Sequence, residues 1–481
     1  MNADRLVNLT AEAALLGALM LDNRLIVQIA DRVKQDDFGD ALHGRIFTAA
    51  MKFAAKGMRA DAMTLRPLFH HDQDAQYGEY LDQLVESPAV VDAASAIADQ
   101  VADFSARRHA RDVMRSALGA LEDDLDRDVG EICSQVENAG WAASQGGEDD
   151  LASDVAELVG LVEERDDRIC LDAQAAGISN RLIEDIDLGL GLLEPGTYNL
   201  VAGRPGMGKT ALGLSAGLGY AMNSHAGLFL EYEMTKEQLG LRVAADCGHA
   251  LGYKLPHASL RKGGLTRDQR LDLADIRKKV ATLPIRFLTP KSSDIRRLWS
   301  LVSRQKALWA AMGRKLEFVV VDQLTLITAT DEAGRQIEDD RKRMSFVSKM
   351  LKRLAKDLDV VVIALTQLSR GVESRLSKRP MLSDLKESGS LEEDADTVTL
   401  LFREEVYLKQ NEPKRGERDK QGHDLHEEWE AEMHAAHAKM DMIFAKNRHG
   451  NSTTRTARFL GEFSSVRSSD FDMYSDQPAM L

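Results

Sequence analysis

Cysteine is scarce in this sequence, and no run of apolar residues is long enough to cross a lipid bilayer. The three cysteines, Cys133, Cys170 and Cys247, show neither the spacing of a metal site nor that of a redox pair, so we expect no disulfide framework. The N-terminal stretch also lacks the basic segment and the small-residue cleavage site of a secretory signal. These absences argue against a secreted scaffold and a membrane partner, and they predict a cytoplasmic protein.

Positive charge is in deficit as well. The chain carries 62 Lys and Arg residues against 77 Asp and Glu residues, a formal net charge of −15. This balance argues against a protein that coats nucleic acid through its overall charge, although it leaves room for a local basic lining in a channel. With 481 residues, of which 44% are hydrophobic, the chain is long enough for two or three domains with cores of their own.

The spacing of apolar residues divides the chain into three parts. Residues 1–140 show helical spacing without alternating β-branched runs, which predicts an all-α domain. Residues 141–176 contain the stretch AASQGGEDD and then an amphipathic helix, and we interpret this part as a linker. The apolar stripe of that helix comprises Leu151, Val155, Leu158, Val159 and Val162. Spacing alone does not distinguish packing on the helix's own domain from docking on a neighbouring subunit.

The third part, residues 177–481, alternates short apolar runs with helical segments, which predicts an α/β domain with a mostly parallel sheet. The predicted strands are TYNLVA, GLFLEYE, IRFL, EFVVVD, VVVIALTQ, TVTLLF and MIFAK. Residues 408–438 interrupt this alternation with a highly charged stretch, which we predict to be a surface excursion that ends in a helix. It contains His423, His426, His434 and His437 but no cysteine, so we do not expect a metal site there.

The segment VAGRPGMGKT, residues 201–210, fits the pattern G-x-x-x-x-G-K-[ST] between a predicted strand and a predicted helix. Backbone N–H groups of such a loop converge on phosphate oxygens, and the helix N-terminus adds positive potential. Lys209 is expected to neutralise the β- and γ-phosphates of ATP, and the Thr210 hydroxyl to bind Mg²⁺. The predicted phosphate loop consists of Gly203, Arg204, Pro205, Gly206, Met207, Gly208, Lys209 and Thr210.

Polar residues at the ends of three other predicted strands fit the same site. Asp322 follows a buried run, the position from which a carboxylate holds the metal through water. Glu231 and Glu233 both follow a strand, and a carboxylate near the γ-phosphate can orient and deprotonate the attacking water. Gln367 ends a further strand, where it is either a turn residue or a contact to the γ-phosphate.

A cationic turn follows the late predicted strand, MIFAK. Lys446 and Arg448 lead into NSTTRTARFLG, which we predict to be a hairpin partner of that strand. An exposed turn of this kind is commonly just solvated. The alternative is an arginine finger, which stabilises charge on a transferring phosphoryl group and ties hydrolysis to assembly if it acts on a neighbour's nucleotide.

Together these motifs closely resemble the bacterial replicative DNA helicases of the DnaB family, within the RecA-like superfamily. The resemblance covers nearly the whole chain, from AEAALLGALMLDN and DDFGDALHGRIFTAA near the start to the late hairpin. Its most specific element is SDLKESGSLEEDAD, residues 383–396. The resemblance implies a RecA-like P-loop ATPase domain preceded by an all-α collar domain, at 1–140, that interacts with primase.

The resemblance also implies a role for each motif residue. The loop from Gly203 to Thr210 matches the Walker A motif, Asp322 the Walker B aspartate, and Glu233 rather than Glu231 the catalytic glutamate. The remaining matches are Arg242 as an arginine near the nucleotide, Gln367 as the γ-phosphate sensor, Lys446 and Arg448 as the pair that reaches the adjacent subunit's site, and Lys386, Glu387 and Gly389 as the loop that grips one DNA strand.

The sequence departs from the family pattern at several places. Lys386 stands where an arginine is usual, which keeps the charge but loses the planar fork of the guanidinium. The linker helix diverges, the excursion at 408–438 is longer than usual, and the segment after Gly450 is atypical.

The function implied by the resemblance is a homohexameric helicase that couples ATP hydrolysis to 5′-to-3′ movement on single-stranded and forked DNA, with primase and a helicase loader as partners. Six copies of Lys386 in a central channel reconcile an acidic chain with DNA binding. Two alternatives are a RecA-like recombination or repair ATPase, and a plasmid or phage platform that mainly recruits primase. The intact nucleotide motifs argue against loss of hydrolysis in the second.

Overall fold

The computed structural model describes residues 6–469, apart from gaps at 30–31, 57, 70–75, 87–92, 172–175, 332–334, 386–388 and 419–422 and most of 124–154. The chain divides into two compact units, residues 1–160 and 161–481. Among the described residues, no helix has both the length and the apolar character needed to span a membrane.

The first unit is helical in its described part, as the spacing of its apolar residues predicts. Its helices are α1 (Leu9–Leu21), α2 (Arg24–Ile29), α3 (Ala41–Ala55), α4 (Ala62–Leu65), α5 (Gln76–Glu86) and α6 (Ala94–Asp123). Asn8 starts α1 by accepting a hydrogen bond from the Ala11 N–H, and Leu15, Leu16 and Leu19 of this helix lie fully inside the core. The unit is therefore organised around α1, which packs on α3, α5 and α6.

A seventh helix, α7 (Val155–Leu171), lies in the predicted linker. Two members of the predicted apolar stripe have described side chains here, and both are exposed: Val159 at 55% and Val162 at 64%. Leu161 on the same helix is also exposed, at 54%. Leu151 and the side chains of Val155 and Leu158 lie outside the described residues. The described side chains of the stripe are thus exposed.

The second unit is an α/β domain built on one nine-stranded sheet, which confirms the predicted fold class. Its strands are β1 (Tyr198–Gly203), β2 (Gly227–Glu231), β3 (Ile285–Leu288), β4 (Phe318–Asp322), β5 (Val361–Gln367), β6 (Thr397–Phe402), β7 (Lys439–Asn447), β8 (Thr453–Leu460) and β9 (Ser465–Arg467). The order is β3-β2-β4-β5-β1-β6-β7-β8-β9. The first six strands pair in parallel, and β7, β8 and β9 continue the sheet as an antiparallel extension.

Helices connect and cover these strands. They are α8 (Glu184–Leu190), α9 (Lys209–Met222), α10 (Lys236–Ala250), α11 (His257–Lys262), α12 (Arg267–Lys279), α13 (Ile295–Ala311), α14 (Asp340–Leu358), α15 (Gly389–Asp394), α16 (Glu404–Gln410) and α17 (Leu425–Ala436). The central strands β1, β2 and β4 are buried along their whole length, because a parallel sheet is covered on both faces. Their carboxyl ends therefore meet at one edge, where the polar residues that end the strands lie close together.

Each strand predicted from the sequence is present, with bounds shifted by a few residues. The main difference is in β2, which ends at Glu231, so that this glutamate belongs to the strand and does not follow it. The predicted hairpin partner of β7 is β8, and the two pair in antiparallel register. The excursion at 408–438 ends in α17, as predicted.

Candidate functional site

The phosphate loop joins the end of β1 to the start of α9. Gly203 is the last residue of β1, and Lys209 is the first residue of α9. Gly208 precedes the helix in the left-handed conformation (φ 92°), and a Cβ atom on it would meet Met440 Cε at 2.7 Å and Phe459 Cε2 at 2.8 Å. Only glycine fits there, so the N–H groups at the helix start remain available for phosphate oxygens.

Lys209 bends back over this loop. Its Nζ donates a hydrogen bond to the Gly203 carbonyl oxygen at 2.9 Å. Burial lowers the pKa of Lys209, and the nearby negative charges of Asp322 and Glu233 oppose that shift. The ammonium group therefore lies among the residues predicted to contact the β- and γ-phosphates and the metal.

Asp322 is the last residue of β4 and only 1% exposed. Within the described part of the chain neither carboxylate oxygen accepts a hydrogen bond of good geometry, while the Thr210 side chain lies close enough to favour the charged form of the carboxylate. Burial raises the pKa of Asp322 to about 6; the charge of Glu233 adds to this shift, while Thr210, Lys209 and Arg242 oppose it. A buried carboxylate with unused lone pairs next to a hydroxyl fits the donor set of a hydrated Mg²⁺ ion.

The two candidate glutamates differ in environment. Glu231 is 1% exposed and pairs with Asp322 in the sheet register, whereas Glu233 is exposed in the following loop. Glu231 Oε1 accepts hydrogen bonds from the backbone N–H groups of Glu233 at 2.7 Å and Met234 at 2.9 Å. Burial raises the pKa of Glu231 to about 7, and the charge of Asp322 raises it further against the pull of those two N–H groups. Glu231 thus anchors the loop, and the Glu233 carboxylate remains accessible to a water molecule.

Gln367 ends β5 opposite Gly203 in the parallel register, so its exposed side chain lies at the phosphate loop. Arg204 links the loop to the chain that follows Gln367: Nη1 donates to the Leu368 carbonyl at 2.8 Å and Nε to Glu373 at 2.8 Å. Arg242 lies on α10, and its charge acts on Asp322. The sheet edge therefore brings together the predicted nucleotide contacts that precede residue 370.

The segment after Glu373 leads toward the predicted DNA loop. The Ser369 N–H donates to the Asp384 carbonyl at 3.1 Å, and the Asp384 carboxylate accepts from Arg375 Nη2 and from the Met381 N–H, both at 2.7 Å. Lys386 and Glu387 lie outside the described residues. Gly389 begins α15, and a Cβ added to it would meet no atom within 4 Å.

Lys446 and Arg448 lie at the other edge of the sheet. Lys446 at the end of β7 pairs with Val398 near the start of β6, and the Arg448 N–H donates to the Asp396 carbonyl at 3.0 Å. Asp396 also accepts a hydrogen bond from the N–H of Tyr198, the first residue of β1. The phosphate loop follows the last residue of β1, about five residue steps or roughly 17 Å away. The fold thus separates this cationic pair from the phosphate loop of its own chain.

The sequence did not lead us to predict one contact to the phosphate loop. Arg403, directly after β6, donates from Nη1 to the Gly206 carbonyl at 3.2 Å and lies over the Phe459 ring, 3.7 Å from its centroid. Its position gives a signal of the same kind as Asp322 and Gln367, a polar residue immediately after a buried parallel strand. The wall beside the loop is therefore formed partly by the antiparallel extension.

The described histidines of the excursion have separate surroundings. His426 is buried between Glu412 and Glu430, and His437 lies beside Glu405. No group of three or more metal-ligating side chains occurs in the described part of the chain.

Comparison with known proteins finds two family models in this chain. Residues 177–468 match the DnaB-like helicase C terminal domain, and residues 4–103 match the DnaB-like helicase N terminal domain. The replicative DNA helicase DnaB of Rickettsia felis is 29% identical over 473 residues, which cover 92% of this chain and 89% of that protein. The replicative DNA helicase DnaB of Geobacillus stearothermophilus is 29% identical over 417 residues, covering 85% of this chain and 87% of that protein.

Two solved structures share the fold. One is an ATPase domain, which is 26% identical, with a TM-score of 0.53, and the match covers 66% of this chain and all of that one. The other is a DnaB-like replicative helicase, described together with its interactions with primase. It has a TM-score of 0.64 at 24% identity, and the match covers 96% of this chain and 99% of that one.

Proposed function

The chain belongs to the DnaB-like helicase family and is an ATP-dependent replicative DNA helicase; we propose that it works as a hexameric ring that moves 5′ to 3′ along single-stranded DNA. The resemblance inferred from the motifs is thereby confirmed, as is the RecA-like ATPase architecture behind an α-helical N-terminal domain. Ring formation, direction and the roles of individual residues are our proposals, and each has its own support in the fold.

The observation that carries the proposal is the distribution of the nucleotide machinery over two edges of one sheet. The phosphate loop and Asp322 lie at the carboxyl edge of the parallel strands, whereas Lys446 and Arg448 lie at the amino edge. Head-to-tail assembly places one edge against the other, and closure of such contacts yields a ring. Each ATP is then bound by one protomer and completed by cations of the next.

In this proposal each side chain at the carboxyl edge has one task. The backbone N–H groups of the phosphate loop, except at Pro205, and the Lys209 ammonium hold the phosphates; Thr210 directly and Asp322 through water would hold Mg²⁺, which would neutralise phosphate charge. Glu233 accepts a proton from the attacking water, because its carboxylate is exposed and its loop is anchored by Glu231.

Two further residues of the same protomer contact the nucleotide in the proposal, and two cations act on the nucleotide of the neighbouring protomer. Gln367 contacts the γ-phosphate from β5, and Arg242 supplies positive charge from α10. Arg448, with Lys446, stabilises the transition-state charge in the neighbouring protomer.

The phosphate loop communicates with DNA through the chain after β5. Arg204 holds Leu368 and Glu373, and Ser369 in turn holds Asp384 just before the DNA loop. A shift of the γ-phosphate can therefore act through these contacts on Asp384, after which the chain continues into the proposed DNA loop of Lys386, Glu387 and Gly389. These residues contact phosphates of one strand, and such contacts carry no base information.

The helical first unit and the linker fit the same assembly. We propose residues 1–140 as the collar domain, 141–176 as the linker and 177–481 as the motor. The exposed Val159 and Val162 on α7 favour docking of the linker helix on a neighbouring subunit over packing on its own domain. Primase and a helicase loader are the proposed protein partners, since a structural neighbour is described with primase. We propose that the protein acts in the cytoplasm.

A forked-duplex assay tests the function. We expect ATP-dependent strand separation on a fork with a 5′ single-stranded tail, loss of unwinding in Lys209→Ala, and wild-type unwinding in the matched control Lys262→Ala, an exposed lysine at the end of α11. DNA-stimulated hydrolysis without strand separation indicates a recombination or repair ATPase. Absence of both activities indicates a recruitment platform, and unwinding from a 3′ tail alone contradicts the direction.

A further inference from the structure

Lys446 and Arg448 are held by the helix that follows the DNA loop of their own chain. Lys446 Nζ donates to the backbone carbonyl oxygens of Glu392 and Glu393, and Arg448 Nη2 donates to the Glu393 carbonyl at 2.7 Å. Arg448 Nη1 also donates to Asp396 Oδ1 at 3.1 Å. We call these three acceptors, the Glu392 and Glu393 carbonyls and the Asp396 carboxylate, the finger seat.

Asp396 ties the finger seat to the core of the domain. It is 3% exposed, and its Oδ2 accepts hydrogen bonds from Lys352 Nζ at 2.6 Å and from the Tyr198 N–H at 2.8 Å. Its backbone N–H donates to the Tyr198 carbonyl at 2.8 Å, and its own carbonyl accepts from the Arg448 N–H at 3.0 Å. One buried carboxylate thus connects β1, α14 and the turn after β7. The two hydrogen bonds between Asp396 and the backbone of Tyr198 fix its position.

The carbonyls of the finger seat belong to the last turn of α15. These carbonyls lack partners within a helix and carry its partial negative charge, so two cations stabilise them. α15 spans only Gly389–Asp394 and starts where the DNA loop ends. The Arg448 side chain is nevertheless 46% exposed, so its guanidinium is accessible to a second molecule.

We propose that Asp396 is a positioning residue that aims Arg448 toward the nucleotide of the adjacent protomer. This inference rests on the proposed trans role of Arg448. Loss of the Asp396 contact should therefore lower turnover at the neighbouring site without changing the residues that bind its nucleotide.

The test compares Asp396→Asn with Lys352→Met in the full-length protein. Asp396→Asn weakens the contact to Arg448, whereas Lys352→Met removes the partner on the other side of the same carboxylate and leaves that contact intact. We expect the DNA-stimulated kcat of Asp396→Asn to fall by about 10- to 100-fold with an unchanged KM for ATP, because misplacement of a catalytic group by about 1 Å costs on this order. Lys352→Met is expected to keep wild-type kcat.

Two additional variants separate positioning from folding. The double variant Asp396→Asn with Lys352→Met removes the half-buried lysine together with its buried carboxylate partner, so neither charge of this ion pair is left without the other, and it should show the low kcat of Asp396→Asn. Adding Asp396→Asn to Arg448→Ala should lower kcat no further, because residues that act through one another are not additive. Mixing Asp396→Asn with Lys209→Ala subunits should raise turnover, because the latter supply an intact finger seat.

Each outcome decides between the two claims. Wild-type turnover in Asp396→Asn, equal losses in Asp396→Asn and Lys352→Met, or additive losses with Arg448→Ala overturn the positioning role. Wild-type turnover in Arg448→Ala instead overturns the trans finger itself. The two failures are therefore distinguishable.

Discussion

Separation of Arg448 from the phosphate loop of its own chain makes subunit mixing a direct test of the ring. Two variants disable opposite halves of one shared site: Lys209→Ala removes the phosphate-binding lysine, and Arg448→Ala removes the finger. Lys209→Ala leaves Arg448 intact, and Arg448→Ala leaves the phosphate loop intact. We expect each variant alone to be nearly inactive in ATP hydrolysis and their mixture to be active.

The magnitude follows from the geometry. Arg448 contacts Asp396, which hydrogen-bonds to Tyr198 at the start of β1, whereas the phosphate loop lies at the end of β1. Five residue steps, about 17 Å, separate the two ends of the strand, so we expect the finger not to serve its own nucleotide. Arginine fingers contribute on the order of 10³-fold or more to phosphoryl transfer, so Arg448→Ala should retain about 0.1% of the wild-type kcat. In rings assembled at random from equal amounts, about one quarter of the interfaces combine an intact loop with an intact finger. The mixture should therefore reach up to about a quarter of wild-type turnover.

The assay is steady-state ATP hydrolysis with saturating single-stranded DNA, after dissociation and reassembly of the mixed subunits. Solution mass shows that rings form, and capture of one variant through an affinity tag, with the untagged variant bound to it, shows that they are mixed. Arg455→Ala serves as a matched control, because Arg455 is an exposed arginine on the same hairpin that contributes no contact to the finger seat. A mixture no more active than its separate components, in rings of the correct mass, would refute the shared site.

Three further predictions concern the DNA loop, the glutamate anchor and the core. Lys386→Ala should weaken the affinity for single-stranded DNA in a fluorescence titration while ATP binding persists. Lys386→Arg should retain the DNA affinity, because it keeps the positive charge. Unchanged DNA affinity in Lys386→Ala excludes this loop as the main DNA-binding element. Glu231→Ala should lower kcat about 10-fold or more because it releases the Glu233 backbone. Glu231→Gln keeps an acceptor oxygen and should keep most of the activity. Equal rates in the two variants contradict the role of Glu231 as an anchor of this loop. Arg467→Met leaves Asp246 buried without its ion-pair partner and should lower the free energy of unfolding by about 3–5 kcal/mol. The thermal midpoint should fall, and adding Asp246→Asn should partly restore it. An unchanged midpoint in Arg467→Met contradicts this prediction.

The contrast between Glu231 and Glu233 shows where prediction from motifs ends. Spacing alone left both residues as candidate bases, and family resemblance selected Glu233. The geometry supplies the physical basis for that choice: Glu231 is buried at the end of β2 and bound to two backbone N–H groups, while Glu233 is exposed. The structure also shows contacts of Glu231 that no sequence pattern indicates, the two hydrogen bonds by which it holds the backbone of the loop that carries Glu233.

Local patterns in the sequence determined the nucleotide site and the class of fold. The sequence shows glycines at fixed offsets, a lysine at the helix start and polar residues at strand ends. These features can be recognised because each depends on the backbone conformation of only a few neighbouring residues. The alternation of apolar runs and helical segments likewise predicted an α/β sheet, because parallel strands need helical crossovers.

Only the tertiary structure decided which distant residues meet. Arg467 forms a buried ion pair with Asp246, Arg403 reaches the phosphate loop from the end of β6, and Arg448 is held by Asp396. These contacts depend on the strand order, which places the antiparallel extension beside β6 and turns its hairpin toward the amino edge of the parallel strands. No local pattern encodes that order, because it results from the burial of all strands in one sheet.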